Sequence, residues 1–388
     1  MPSSPLPPSD DTRPAKRLRQ AEEQRPTCYF CLEGAGRVTR SGVGAELLHG
    51  GCGCRGSAGY GHLHCFVQAA IHSTHRWERW YRCTLCGQVF TGAVAVGLAQ
   101  ACWEREADKP VEDEDRLFAQ NLIGNVLREA GNYAEALRHF QQASTVNRQK
   151  SGEEDEETMG TTHNVANVLD DMGDYHASEA LHREILARRR RVLGDEHEDT
   201  LDSMSNLGWL LSLRLKRNDE AEQLVREATA IARRALGDAH ECTISLIESL
   251  ACVKMQQGDF AQAEALQRES LASQRRTKGD AHTDTLCTMS NLAECLGKRQ
   301  QFEEAARLFT KALGGLRRVV AADHPSLLTT EHDFATMLLV KGELRKAVAL
   351  AAKAVSGRRQ VLGHAHPETR VSVELLHRVR VAIAENKT

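Results

Sequence analysis

The sequence lacks any long apolar run. None approaches the eighteen or so residues that a membrane-spanning helix needs, so no membrane segment is predicted. The first residues are rich in proline, serine and aspartate, and they lack the apolar stretch of a secretory signal peptide. The formal net charge is −3 over 388 residues, which gives no overall basic surface of the kind that binds nucleic acid. We therefore expect neither a membrane nor a nucleic-acid partner.

Signatures of the common enzyme classes are missing as well. The sequence has no Walker phosphate-binding loop and no glycine fingerprint of a dinucleotide-binding fold. A disulfide framework is not indicated either, because seven of the twelve cysteines have metal-like spacing and the other five are scattered. This usage is typical of a reducing compartment, so we expect a cytoplasmic protein.

Cysteine and histidine pairs dominate the region between residues 28 and 86. Seven cysteines and one histidine form four pairs there, each with one or two residues between its members. Thiolate and imidazole are ligand types that Zn²⁺ takes, and eight such ligands complete two closed tetrahedra. The spacing therefore predicts a module that holds two Zn²⁺ ions. The predicted ligands are Cys28, Cys31, Cys52, Cys54, His62, Cys65, Cys83 and Cys86.

The gaps between these pairs resemble those of the RING-CH (RING-variant) zinc finger. One residue separates Cys52 from Cys54, and the run CRGSAGYGHLHC that ends at Cys65 is similar to that family's signature. The PHD finger shares the ligand order but usually has a longer second gap. The resemblance to RING-CH implies a cross-brace over residues 27–87, with Cys28, Cys31, His62 and Cys65 on one ion and Cys52, Cys54, Cys83 and Cys86 on the other.

RING-CH domains are known chiefly as ubiquitin ligases, which implies a ubiquitin-conjugating enzyme as partner. In that family the zinc ions are structural, and catalysis consists of positioning the charged enzyme. An apolar residue just before the second cysteine usually makes the contact, and here that residue is Phe30. The tryptophan common four residues after the sixth ligand is replaced by Ala69. Trp77 and Trp80 either substitute for it or are buried over the zinc core.

Composition separates the segments on either side of this module. Residues 1–26 carry almost no large apolar residue and are predicted to be disordered. Within them, Lys16 to Arg19 is either a short nuclear import signal or a solvated charge run. Residues 88–115 are predicted to be a linker that is helical from about residue 93 to residue 105. Cys102 on that helix is predicted to be a core thiol.

From residue 116 onward the sequence repeats itself with a period near 42. Two positions in each repeat hold small residues and a turn glycine lies between them, which predicts two closely crossing helices per repeat. The period predicts six repeats over 116–368 and a capping helix and tail over 369–388. The two columns of small residues are Gly124, Ala166, Gly208, Ala251, Ala293 and Ala335, and Ala136, Ser178, Ala221, Ala263, Ala305 and Ala347.

These repeats resemble the long tetratricopeptide (TPR) repeats of the kinesin light chain type. The shared features are the turn glycine, the aromatic residue two positions later, and the motif LGDEH that ends at His197. The resemblance implies an α-solenoid whose first helices line a concave groove for a peptide. The family's groove asparagine corresponds to Asn164, Asn206 and Asn291, whereas Ser249 and Asp333 depart from it. An amide there either pairs with an extended peptide backbone or forms a local helix cap.

Two further columns recur near the ends of the second helices. The histidines lie in different repeats, too far apart to share one ion, and we predict a loop role before a cap such as Thr200 or Thr243. The arginines are explained by a favourable interaction with the helix dipole. The columns are His197, His240, His282, His324 and His366, and Arg190, Arg233, Arg275, Arg317 and Arg359.

The sequence thus predicts a mainly α protein: a small two-zinc, cross-brace RING-like domain followed by an α-solenoid of TPR helix pairs. The favoured function is that of a ubiquitin-protein ligase whose repeats recruit a substrate or adaptor. One alternative is a non-enzymatic scaffold in which the zinc finger is an interaction module, and Ala69 favours it. A PHD-like chromatin reader is a further alternative, which the basic cluster at Lys16 would suit.

Overall fold

Helices account for most of the chain in the computed structural model, which describes residues 28–30, 47–49, 60–74, 77–85, 87–320 and 322–385. Fifteen α-helices lie in those ranges, so the prediction of a mainly α protein with a helical solenoid is confirmed. The two-zinc domain stays a prediction, because much of residues 27–87 lies outside the described residues, as does the basic cluster at Lys16. None of the described helices is long and apolar enough to span a bilayer.

A small unit of two strands and two α-helices forms the N-terminal head. Strand β1 (Leu47–His49) pairs antiparallel with β2 (Tyr60–His62), so that Leu47 lies opposite His62. Helix α1 (Leu63–Ile71) follows directly, and a 3₁₀ helix (Glu78–Trp80) and α2 (Gly92–Glu106) complete the unit. Helix α2 extends the predicted linker helix by one residue at each end.

The head has a core that continues into the repeats. Phe66, Trp80, Phe90 and Leu98 are buried together, and Ala119 from the first helix of the repeat array joins the same cluster. Cys102 lies in this core, where burial raises the pKa of its thiol to about 12. A thiol held neutral by burial is a packing residue and not a metal ligand.

Six consecutive helix pairs and one final helix form the repeat array. Each helix packs against its neighbours along the chain, as in a solenoid. The final helix buries Leu375, Leu376 and Val379 against the last pair. The pairs are α3 (Glu114–Glu129) with α4 (Tyr133–Ser151), α5 (Glu156–Met172) with α6 (Tyr175–Val192), α7 (Glu198–Leu213) with α8 (Asn218–Ala235), α9 (Glu241–Gln257) with α10 (Phe260–Lys278), α11 (Thr283–Lys298) with α12 (Phe302–Val319), and α13 (Pro325–Lys341) with α14 (Leu344–Leu362); the final helix is α15 (Pro367–Glu385).

Small residues lie where the two helices of a pair cross. The second column, from Ala136 to Ala347, is fully buried throughout. In the first column, a Cβ atom built on Gly124 would lie 2.8 Å from the ring of Phe140, and one built on Gly208 would lie 2.3 Å from Val225. The glycines therefore make room for larger side chains of the second helix, which keeps the crossing close.

Each turn within a pair uses one residue in the left-handed conformation. Gly131, Gly173, Gly258 and Gly342 hold this place in four pairs, with φ between 78° and 89°. In the other two pairs no glycine is present, and Lys216 (φ 57°) and Gln300 (φ 61°) take the same conformation. A residue with a Cβ atom is strained there, so the turn geometry is preserved where the sequence signal for it is lost.

The periodic histidines are themselves helix caps, which corrects their predicted role. In each, Nδ1 accepts a hydrogen bond of 3.2 to 3.3 Å from the backbone N–H two residues later. Asp113 and Asp155 cap α3 and α5 from the same place. Thr200 and Thr243, the expected caps, are buried within the helices that follow. The role was missed because histidine is not among the preferred N-cap residues.

Candidate functional site

Three of the predicted metal ligands meet at the start of α1. The ligand atoms of Cys28, His62 and Cys65 all lie within 4.8 Å of one another. His62 ends β2 and Cys65 follows one helical turn later, so the turn directs both side chains to one side. Cys28 and His62 are fully buried, and Cys65 is half-buried.

The spacing of these three donors fits a tetrahedral zinc site. Zn–S bonds of about 2.3 Å and Zn–N bonds of about 2.0 Å place ligand atoms roughly 3.5 to 3.8 Å apart. Cys65 Sγ lies 3.9 Å from His62 Nδ1. Two sulfurs and one imidazole are also the donor types of structural zinc sites. Cys31, the fourth ligand expected here, lies outside the described residues.

The second predicted ligand set is described only at Cys83. Its side chain is buried, and its backbone forms a tight turn in which Gly87 N donates to Cys83 O and Cys83 N donates to Gln88 O, both at 2.8 Å. Cys52, Cys54 and Cys86 lie outside the described residues. The pairing of these four ligands therefore stays a prediction.

Phe30, the predicted contact for a conjugating enzyme, lies beside the first ligand set. It is half-buried, with its ring edge-on to Phe66 at 5.2 Å and the Arg79 guanidinium 5.9 Å from the ring centre. Of the two tryptophans considered as substitutes for the missing one, Trp80 is only 5% exposed and packs in the core. Trp77 turns to the array, where it stacks on Phe118 with ring centres 5.4 Å apart.

The three predicted groove asparagines lie on first helices of their pairs. Asn164 on α5 and Asn206 on α7 are half-buried, and Asn291 on α11 is exposed. In the part of the chain that the structure describes, no hydrogen bond involves any of these three amides. The alternative hypothesis was that these amides form local caps or hydrogen bonds between helices, and no such bond is observed among those residues.

Two carboxyl groups lie at or near the predicted asparagine position on helices α11 and α13. Asp333 holds the asparagine position on α13, and burial together with the nearby charge of Glu294 raises its pKa to about 7. Burial also raises the pKa of Glu294 on α11. Within the described residues neither carboxyl group forms an ion pair. A site of this kind favours a cation, because a positive charge nearby would lower both pKa values.

An exposed aromatic residue on α7 was not singled out from the sequence. Trp209 is 39% exposed, and the Arg214 guanidinium lies 5.2 Å from its ring centre. Arg214 is held by Asp170 of the preceding pair at 3.0 Å. Its position could have been noticed in the sequence, because Trp209 lies three residues after Asn206 and so on the same helix face.

Comparison with protein families identifies the repeats and leaves the head unassigned. The tetratricopeptide repeat family model matches residues 157–234, 213–275, 242–318 and 284–360, and a second model of this repeat matches residues 119–157. These matches together run from residue 119 to residue 360, which is more than half of the chain. No RING-CH family was detected. No curated protein matches the chain.

Several solved structures resemble this chain in fold. The apo form of RapI aligns over 77% of this chain and 98% of its own, with 14% identity and a TM-score of 0.54. A Rap protein complexed with Competence and Sporulation Factor aligns over 74% of this chain and 81% of its own, with 13% identity and a TM-score of 0.52. A crystal structure of the TPR-like repeats of a Podosopora anserina kinesin light chain covers 52% of this chain and 95% of its own, with 22% identity and a TM-score of 0.44.

Identities this low indicate a shared fold and nothing finer. The family matches, however, cover the helix pairs from α3 to α14 almost completely. The paired helices, the buried small residues at their crossings and the left-handed turns between them agree with those matches. The chain belongs to the tetratricopeptide repeat family.

Proposed function

We propose that the array is a protein-interaction scaffold that binds an extended peptide in its groove. The observation that carries the proposal is the row of three amides, Asn164, Asn206 and Asn291, that make no hydrogen bond within the described residues. An amide offers both a donor and an acceptor, which matches the alternating groups of a peptide backbone. The complex of a Rap protein with Competence and Sporulation Factor, a protein of similar fold, supports the proposal.

Selection from a library of random twelve-residue peptides tests this function. Peptides enriched on the full chain should bind at least tenfold more weakly to the triple variant Asn164→Ala, Asn206→Ala, Asn291→Ala. A matched triple variant on exposed positions of second helices, Gln141→Ala, Gln223→Ala, Gln360→Ala, should bind like the parent chain. Equal binding to both triple variants would contradict the groove as the site.

We also propose that the head holds two Zn²⁺ ions, the first on Cys28, Cys31, His62 and Cys65. The clustering of three of these donors supports the first site. Zinc bound there would serve as a structural cross-link that joins Cys28 to the start of α1 and so stabilises the head. The contacts of Trp77 with Phe118 and Asp115 would then hold the head against the array.

Metal analysis of freshly purified, reduced protein tests the two-zinc proposal. Two ions per chain are expected, and Cys28→Ser should lower the count and unfold the head, because structural zinc supplies folding free energy of order 10 kcal/mol. Cys252→Ser, a half-buried cysteine of the array, is the matched control and should keep both ions. One ion or none in the parent chain would exclude the cross-brace.

Ubiquitin transfer is a second candidate function, and it concerns the head alone. It is favoured by the donor cluster together with Phe30, which lies next to Cys28 and keeps part of its ring accessible. The competing hypothesis is that the head is a non-enzymatic interaction module. The two differ in whether a conjugating enzyme charged with ubiquitin reacts faster in the presence of the chain.

An in vitro ubiquitination assay over a panel of conjugating enzymes separates these readings. If the head is a ligase, Phe30→Ala should cut activity about thirtyfold, since losing an apolar anchor at a small interface costs about 2 kcal/mol. Tyr29→Ala, at the exposed neighbouring position, is the control, and Ala69→Trp should raise activity. No transfer with any conjugating enzyme, and none gained with Ala69→Trp, would leave the interaction module as the function.

A further inference from the structure

A cleft of about 400 Å³ lies where the head meets the first two helix pairs. The head supplies one wall, α3 a second and α5 a third. Asn164, the first of the groove amides, is among its lining residues, so the cleft is the beginning of the groove. Its lining residues include Trp77, Leu117, Phe118, Gly160, His163 and Asn164.

The wall from the head is fixed against the array by two contacts. The Trp77 indole stacks on Phe118 with an angle of 11° between the rings, and its Nε1 donates a hydrogen bond of 3.0 Å to Asp115 Oδ1. Both partners lie on α3. The aromatic surface is therefore held in one orientation, which lowers the entropic cost of packing a ligand side chain against it.

The floor of the cleft is left open by a glycine within α5. A Cβ atom built on Gly160 would meet no other atom within 4 Å, although the residue lies inside the helix and lines the cleft. A glycine in a helix interior costs about 1 kcal/mol relative to alanine. No packing requirement accounts for it, and its consequence is room for an incoming side chain.

The charged residues that line the cleft are acidic. Glu114 and Glu157 line it and no lysine or arginine does, although Lys150 lies 4.0 Å from Glu114. Farther along the groove, Asp202 on α7, Glu294 on α11 and Asp333 on α13 make no ion pair within the described residues. A ligand that follows the groove from the cleft therefore passes these carboxyl groups, and the Arg214 side chain that it meets beside Trp209 is already paired with Asp170.

We propose that this cleft receives a bulky apolar side chain of an extended, basic peptide, whose lysine or arginine residues then lie along the carboxyl groups of the groove. The inference rests on the proposed peptide-binding function and adds the class of ligand and the place of its anchor. Apolar and aromatic walls with a few amides at the rim are the usual composition of a site for one large side chain. Charge complementarity selects the rest of the peptide.

The peptide selection described above tests the inference when it is repeated on two variants. Enriched peptides should carry lysine or arginine around one aromatic or large aliphatic residue, and replacing that residue by alanine should weaken binding at least tenfold. Gly160→Leu should fill the cleft and weaken binding at least tenfold. Gly314→Leu is the matched control, because Gly314 also lies inside a helix with open space at its Cβ position.

Four other outcomes would overturn the inference in distinguishable ways. Enriched peptides that are acidic, or that bind Gly160→Leu as well as the parent chain, would exclude this ligand and this cleft while leaving a peptide-binding groove. Failure to enrich any peptide would remove the proposed function as well. Self-association of the free chain that Gly160→Leu abolishes would identify a second copy as the occupant. Unchanged helical circular dichroism of both leucine variants controls for folding, and leucine favours the helix over glycine.

Discussion

Lys216 and Gln300 hold a backbone conformation that four other repeats assign to glycine. A residue with a side chain loses roughly 1 kcal/mol in the left-handed region relative to glycine, because its Cβ atom crowds the following carbonyl. Neither position was identifiable as strained from its own residue type. Both residues occupy the position that the turn glycine holds in the other four pairs, and only the structure shows that the left-handed conformation is kept there.

We expect Lys216→Gly and Gln300→Gly each to raise the free energy of unfolding by about 0.5 to 1 kcal/mol, because glycine removes the strain. Urea denaturation followed by circular dichroism measures the change. The reverse substitution, Gly258→Ala, should lower stability by about 1 kcal/mol, because φ is 78° there. Stabilisation by Gly258→Ala would contradict this account of the turns.

At the scale of the helix, the histidine caps combine two requirements. The ring must be neutral at Nδ1 to accept the backbone N–H, and the residue must hold an extended backbone, as His282 does with φ −71° and ψ 143°. Burial lowers the pKa of His324 and of His366, which keeps those two rings neutral. Before α3 and α5 an aspartate with an extended backbone accepts the backbone N–H through its carboxylate, so both residue types cap helices at this position.

Replacing His282 tests the cap. His282→Ala should lower the free energy of unfolding by about 1 kcal/mol, the usual loss for an N-cap, whereas His282→Asp should keep most of it. Thermal unfolding of the two variants beside the parent chain is the measurement. If the alanine and aspartate variants were equally destabilised, the ring would serve a packing role instead.

Contacts between helices add a second explanation for two of the five arginines in the column. Arg190 pairs with Glu227 at 2.9 Å and Arg233 with Glu269 at 2.6 Å, so these residues join second helices of successive pairs. Their side chains are 35% and 39% exposed, and such pairs contribute less than about 1 kcal/mol each. The sequence suggested only an interaction with the helix dipole. The 42-residue period does not show that these arginines and their glutamate partners lie close together in neighbouring pairs.

Histidines packed between the helices predict an acid-sensitive array. His182 is buried and His163 half-buried, and their rings lie edge to face with centres 5.2 Å apart. Desolvation, with Arg189 nearby, lowers the pKa of His163 to about 3 and that of His182 to about 4. Burial and Arg358 lower the pKa of His332 to about 4. Unfolded histidine titrates near 6.5, so the unfolded chain binds more protons between that pH and about 4. Stability is therefore present above pH 6.5 and is lost as the pH falls through this window.

We expect the urea midpoint to be lower at pH 5 than at pH 7, with a slope of up to about 1.4 kcal/mol per pH unit for each linked histidine. His182→Gln should reduce this dependence, because it removes one titrating group. The exposed His176→Gln on the same helix is the control and should leave it unchanged. A midpoint that does not change between pH 7 and pH 5 would mean that these rings are hydrated in solution.

Periodicity carried most of what could be predicted about the whole molecule. Small residues at crossings and glycines at turns recur because every pair repeats the same packing, and this predicted the array from the sequence. The contact between Trp77 and Phe118 could not be predicted, because it joins two segments that share no repeat. The same holds for the strands at Leu47 and Tyr60, whose short alternation carries no signal amid so many glycines.

The shared core predicts that the head stabilises the first helix pair. Deleting residues 1–107 would remove Trp77 from Phe118 and Ala99 from the cluster with Ile123 and Val126. Because each pair contacts only its neighbours, the loss should stay local. Amide hydrogen exchange should be at least tenfold faster in α3 and α4 of the deleted chain and unchanged from α9 to α12. Uniformly faster exchange would indicate one cooperative unit instead.

The cleft between Trp77 and α5 has a thermodynamic consequence, because its walls belong to both the head and the repeat array. A ligand held there binds only when the head is docked on the array, so it must stabilise the docked state by its own differential affinity. Linkage is reciprocal: a change that shifts the head away from the docked state weakens ligand binding, and a bound ligand shifts the head towards the docked state by the same factor. If the head holds zinc as proposed, removal of the zinc by a chelator would release peptide from the groove, and a bound peptide would raise the chelator concentration needed to remove the zinc.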